Sequence, residues 1–176
     1  MQSLKSEQAS FLLQLSLAGL KNEHGITKKI IEAVPVDKGD YRPAPDSKSA
    51  LELAWHIAVS ENMFLDSVAS GEFHFPTSGK PDHIRTSADV SAWYVDAFEK
   101  NTQRLAARSG DELVKIMDFR GLFQLPAVFY LQFTVNHTIH HRGQLSVYLR
   151  PMGVKVPSIY GESYDAAQAR KAAGGK

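Results

Sequence analysis

Apolar residues recur at helical spacing through four long stretches, and no window alternates apolar with polar residues for long enough to make a half-buried strand. The pattern predicts an all-α chain. The first helix runs from Ser6 or Ser10 to Val34, where Pro35 stops it; Gly19 and Gly25 inside it cost about 1 kcal/mol each and mark a candidate bend. Three prolines and Gly39 make residues 35–46 a surface loop. The second helix starts behind Ser47 or Ser49, with Glu52 placed to complete a capping box. It continues through Leu51, Leu53, Ile57, Phe64 and Leu65 to Ala69. Residues 70–86 carry two prolines, two glycines and two histidines, a loop of the length expected of a pocket rim or lid.

The third helix begins near Ser87 and Asp89 and ends near Ser109 and Gly110. A short helical turn, Asp111 to Ile116, leads into an irregular segment, Met117 to Gly121. The fourth long helix starts at Pro126, where proline is tolerated, and runs to Arg150, stopped by Pro151 and Gly153. From Ala166 onward alanine is the only apolar residue, which predicts a disordered tail over 166–176. Residues 1–165 then form a single four-helix bundle domain with long crossover connections, which allow a non-sequential order of neighbours.

Length and charge narrow the function. A chain of 176 residues and 19.5 kDa buries roughly 70% of its unfolded surface as one ordinary domain. Twenty basic against 19 acidic side chains give a net charge of +1, with no electrostatic footprint for nucleic acid or an anionic membrane. No stretch reads as a membrane span or signal peptide, and no solenoid repeat occurs. The absence of cysteine removes disulfides, thiolate metal sites and Cys nucleophiles together, so any metal must be held by nitrogen and oxygen. The cytosol is the expected compartment.

Candidate chemistry lies in the histidines His24, His56, His74, His83, His137, His140 and His141. On a helix advancing about 100° per residue, His137 and His141 lie about 40° apart and one turn up, so their imidazoles can converge on one ion. His140 points about 100° from His141, although a His137–His140 pair at i,i+3 is also open. Tyr130, Phe133, Gln144 and Tyr148 fall on the His137 stripe, the face expected to turn to the core. A two-histidine helix needs a further ligand, and His56, on an apolar stretch of the second helix, is the candidate. Glu52, one turn below, could orient its ring or act as a fourth ligand. A lone internal histidine is more often a hydrogen-bonded core residue; the combination with an i,i+4 pair favours a metal site. His24, His74 and His83 read as surface or loop residues, the last two able to line a pocket entrance.

At these residues the sequence resembles the DinB/YfiT-like family. The resemblance is carried by Tyr41-Arg42-Pro43, by Ser49-Ala50-Leu51-Glu52-Leu53-Ala54-Trp55-His56, and by Leu125-Pro126-Ala127-Val128. It continues in Asn136-His137-Thr138-Ile139-His140-His141-Arg142-Gly143-Gln144, then Arg150-Pro151-Met152-Gly153 and Val156-Pro157-Ser158-Ile159-Tyr160-Gly161. It implies a four-helix bundle with long crossovers, usually a homodimer, and one divalent metal ion per chain, zinc or nickel, held by His56, His137 and His141. Some proteins of this kind are transferases or isomerases that use a low-molecular-weight thiol such as bacillithiol or mycothiol, some are described as metal-dependent hydrolases, and many have no known substrate.

In an enzyme of this type the open metal positions would take a thiol or a water and lower its pKa. Tyr130 and Tyr148 could donate hydrogen bonds to a substrate, Gln144 could orient a ligand, and Arg142 is expected to form a salt bridge or cap. His24 or Glu52 could serve as general base, though neither is singled out. The alternatives are a metal-dependent hydrolase, a non-catalytic metal-binding stress-associated dimer, and a dimer in which the ion only ties helices together. Val128, Leu131, Val135, Ile139 and Leu149 form a second apolar face on the fourth helix and suggest homodimer pairing there. No Ser-His-Asp elbow, phosphate loop or pair of catalytic carboxylates supports metal-free chemistry.

Overall fold

Most of the helices begin where a side chain can satisfy amide groups of the first turn. In the computed structural model, which describes residues 4–77 and 79–174, α1 spans Ser6–Glu32, its entry fixed by the Lys5 N–H donating to Gln8 Oε1 at 3.0 Å. Helix α2, Ala50–Ser70, is capped by Ser49, whose hydroxyl accepts from the Glu52 N–H while Glu52 Oε2 accepts from the Ser49 N–H. It ends at Gly71, whose φ of 90° is left-handed backbone that glycine adopts without strain. Thr86 and Asp89 form the same reciprocal cap for α3, Ser87–Ala106. Ser109 and Glu112 do so for the single turn α4, Gly110–Leu113. Gly110 lies so close to α1 that any side chain would strike the Ser6 carbonyl.

The segment expected to be irregular is a β-hairpin. Strand β1, Ile116–Phe119, pairs antiparallel with β2, Phe123–Pro126, and Ile116 lies opposite Pro126. The turn uses positive φ at Arg120 and Gly121, with Asp118 accepting from the Gly121 N–H. Strands this short cannot display a sustained alternation, and Pro126 closes a strand rather than opening a helix. The fourth long helix, α5, therefore begins at Phe129 and runs to Leu149. The C-terminal segment is also corrected: Tyr164–Ala172 form helix α6, capped by Ser163, where a disordered tail was expected from residue 166. Asp165 anchors its start by accepting from Arg150 and from the Val156 N–H.

Helices α1 and α2 sit on one diagonal of the bundle, and each packs against α3 and α5 on the other. The order of neighbours is therefore non-sequential, as the long connections allow. Two apolar clusters fill the interior. One gathers Leu13, Leu20, Phe64, Leu65, Val68, Leu105 and Leu131; the other gathers Ile30, Ile31, Leu53, Ile57, Val90, Leu145 and Leu149. Val128, Leu131 and Leu149, expected on a dimer face, are thus buried in the chain's own core, with Val135 and Ile139 partly covered.

A polar layer occupies the middle of the bundle. Glu61 of α2, 2% exposed, accepts from Tyr94 of α3 at 2.7 Å and Thr138 of α5 at 3.0 Å, and its other oxygen lies 3.0 Å from His24 Nδ1 of α1. One carboxylate therefore joins all four long helices. His24, expected at the surface, is 7% exposed and stacks against Phe98 with Tyr94 beside it. Burial, then the adjacent Glu61 charge, raises the Tyr94 pKa well above its ordinary value, so it remains a donor. Among the described residues no helix is long and apolar enough to cross a membrane.

Candidate metal centre

The core-facing stripe of α5 runs through Leu131, Thr134, Thr138, Arg142, Leu145 and Leu149, which are buried. His137 and His141 stand beside that stripe, not in it, and so reach the seam with α2 half-buried. From the opposite side α2 presents His56. The ring centroids of His56 and His141 are 4.5 Å apart, those of His137 and His141 4.4 Å, and those of His56 and His137 5.2 Å. One nitrogen from each of the three lies within 4.8 Å of the others.

The hydrogen bonds determine how the rings present themselves. His141 Nδ1 lies 2.8 Å from Gln144 Oε1, an acceptor only, so Nδ1 carries the proton and Nε2 the lone pair. The Gln144 amide nitrogen lies 3.2 Å from His140 Nε2, which fixes the amide orientation. His56 Nδ1 faces the Ser60 hydroxyl at 3.5 Å, and its Nε2 stands 3.1 Å from His141 Nε2. With metal–nitrogen bonds of about 2.0–2.1 Å, two ligands of one ion sit about 2.9 Å apart at a right angle and about 3.4 Å apart at the tetrahedral angle. The observed spacing falls between them. The His141 Nε2 lone pair either accepts from a protonated His56 Nε2 or, with both Nε2 atoms unprotonated, shares a cation with it. Among the described residues His137 Nδ1 is buried without a hydrogen-bond partner, at a cost of about 1–3 kcal/mol.

Electrostatics hold the rings in the ligand form. Burial, reinforced by the His141 charge and then by Lys48, lowers the His56 pKa to about 4. Burial, then His141 and His56, lowers that of His137 to about 4. Burial also lowers His141, against the opposing effect of Gln144. All three are neutral at pH 7, the state in which imidazole binds a metal. Among the described residues no cysteine or carboxylate joins the cluster as a fourth donor, which matches open three-ligand sites.

The two flanks of the cluster differ. Beside His137 lies Phe64, which continues into Phe133 and Phe119 and through them to Phe73 and Phe123. These rings make that flank apolar. Beside His141 a cavity of about 520 Å³ opens, lined by Tyr41, Lys48, Leu53, Gln144, Val147 and Tyr148 among others. Tyr41 and Tyr148 meet edge to face at 5.9 Å across it.

The residues expected around the ligands separate into two groups. Gln144 touches His141, and Tyr148 lines the cavity. Glu52 is elsewhere: its carboxylate is held by the Ser49 N–H at 2.8 Å and by Arg42 at 2.9 Å, so it neither orients His56 nor joins the cluster. Tyr130 is fully buried, and its hydroxyl shares its hydrogen between the carbonyls of Met117 and Phe123, bracing the hairpin instead of facing a ligand. Arg142, 1% exposed, forms the expected salt bridge, to Glu23 at 2.6 Å, and also donates to Thr27 and Tyr160. Sequence reasoning missed Lys48, Tyr41 and Glu61. The signal for Glu61 was present, since it lies four residues after Ile57 and four before Leu65 on a buried face.

A sequence profile of the DinB family matches residues 6–172. The chain is 30% identical over 134 residues to the uncharacterized protein YjoA of Bacillus subtilis strain 168, an alignment covering 75% of this chain and 85% of that protein. It is 32% identical over 111 residues to the uncharacterized protein YrdA of the same organism, covering 62% of this chain and 64% of YrdA. The crystal structure of a DinB-like protein from Bacillus cereus ATCC 10987 superposes with a TM-score of 0.70 at 25% identity, covering 82% of this chain and 95% of that one. The crystal structure of the DinB-like protein YjoA superposes with a TM-score of 0.65 at 24% identity, covering 82% and 97%.

Proposed function

The chain belongs to the DinB family, and on that premise we propose that His56, His137 and His141 bind one divalent cation, zinc or nickel, and that the site activates a small-molecule thiol for transfer to an electrophile. The observation that carries the reading is the 3.1 Å approach of two Nε2 atoms beside an open cavity. Such a cation supplies a lowered pKa for a thiol or a water in its open position, so that the nucleophile exists as an anion near neutral pH.

The chain's own residues supply orientation and exclusion. Gln144 fixes the tautomer of His141, and burial keeps the imidazoles neutral. The aromatic rings beside His137 make one flank apolar, while Tyr148 and Tyr41 offer apolar area to a substrate on the other. A thiol is favoured over water because, among the described residues, no carboxylate stands at the cluster as a general acid or base: Glu52 is held by Arg42, and Glu61 is enclosed in the polar layer. Thiol ionisation assisted by a cation needs no such base; its proton passes to solvent. Hydrolysis needs, besides the ionised water, a group that protonates the leaving atom, and neither carboxylate is placed to do so.

The test is conjugation of small thiols to a chromogenic aryl halide by zinc- or nickel-loaded protein. The reading expects rate enhancement that disappears on chelation and returns with the ion. Ester hydrolysis without thiol dependence would favour the hydrolase, and no turnover with bound metal would favour a non-catalytic metal protein.

A further inference from the structure

The cavity beside His141 has an uneven charge. Lys48 is its charged lining residue, and no carboxylate lines it. Lys48 makes no ion pair among the described residues, and the acid nearest in sequence, Glu52, is held by Arg42 and the Ser49 N–H. Three neutral imidazoles leave a bound divalent ion with its full charge, to which Lys48 adds another positive charge at the same cavity. Lys48 and His141 line the same cavity, where Lys48 is exposed.

We propose that Lys48 makes this cavity selective for a small bifunctional anion, with one donor atom for the ion, a carboxylate for the Lys48 ammonium, and an apolar segment against Tyr41 and Tyr148. The inference rests on the metal reading above and specifies the ligand class of that site. A carboxylate fits better than a phosphate because Lys48 acts alone. The amide groups that open α2 just beyond it are engaged, Ala50 N–H to the Tyr41 carbonyl and Leu51 N–H to the Gly39 carbonyl at 2.9 Å each, and Glu52 N–H to the Ser49 hydroxyl. No nest of free donors remains there for a phosphate. Leu53, Pro43 and Pro151 complete apolar walls suited to the connecting segment.

The experiment uses untagged protein loaded with cobalt(II), whose charge-transfer absorbance reports thiolate binding. The probes are ω-mercaptoalkanoic acids of increasing chain length and their amides, which differ in charge alone. At the best length the acid binds about fivefold tighter than its amide, the upper range for a single partly exposed ion pair. Lys48→Gln brings that ratio to about one while cobalt content and amide affinity stay unchanged. Equal affinity of acid and amide at every length, a ratio unaltered in Lys48→Gln, or cobalt bound without any thiol response would overturn the inference with the metal site intact. Failure to bind cobalt would overturn the metal reading and this inference together.

Discussion

A single hydrogen bond decides which nitrogen of His141 is available. Gln144 Oε1 accepts from Nδ1, leaving the Nε2 lone pair directed at His56. Gln144→Leu removes that acceptor without touching a ligand, and metal affinity should fall about 10- to 100-fold, the usual effect of losing a partner that orients a ligand. Competition with a chromogenic chelator measures it. Protonation gives an independent check on the metal-free protein. The folded state keeps His56 and His137 neutral down to about pH 4, whereas in the unfolded chain imidazole protonates near pH 6.5. Between those values the unfolded state binds more protons, so stability is complete above about pH 6.5 and declines on acidification toward pH 4. The urea midpoint should fall more between about pH 7 and pH 5 in the wild type than in the His56→Gln/His137→Gln double variant. Equal slopes would mean that burial does not hold these rings neutral.

At the scale of elements, polar side chains specify how the helices meet. Glu61 receives contacts from α1, α3 and α5, between two apolar clusters. Glu61→Ala leaves Tyr94, Thr138 and His24 without their buried hydrogen-bond partner and should cost about 1–3 kcal/mol for each donor left unsatisfied, read in urea unfolding. Glu61 lies outside the three-histidine cluster, so metal content of the folded fraction should be unchanged. The hairpin depends on Tyr130, whose hydroxyl reaches carbonyls in β1 and β2. Tyr130→Phe should destabilise by about 0.5–1.5 kcal/mol through loss of the hydrogen bond shared between the Met117 and Phe123 carbonyls and leave the thiol response of the metal site unaffected. A loss of thiol binding in Tyr130→Phe would return this residue to the substrate pocket.

Across the whole molecule, the sequence was most legible where one residue type has one physical use. Ser49 and Glu52 announced the start of α2, Pro35 the end of α1, and the i,i+4 pair His137 and His141 a face that meets His56. Features that depend on tertiary context were hidden. The core stripe of α5 carries Thr134, Thr138 and Arg142, so hydrophobic periodicity assigned the core to the histidine side by about one residue. Glu52 looked like a partner for His56 because both are on one face, but the cap and Arg42 claim it. Four-residue strands escaped notice because alternation needs length, and α6 because its anchors are the Ser163 cap and the Asp165 contacts instead of an apolar stripe.

The central claim is that three half-buried histidines from two helices form one metal site. Elemental analysis of untagged protein, wild type against His137→Ala, tests it most directly, since a histidine tag would bind metal by itself. The account predicts about one zinc or nickel per wild-type chain, the stoichiometry of a single site that a three-ligand set builds, and its loss in a variant that remains folded. Wild-type protein devoid of metal after refeeding with both ions, or a His137→Ala variant that retains it, would contradict the account.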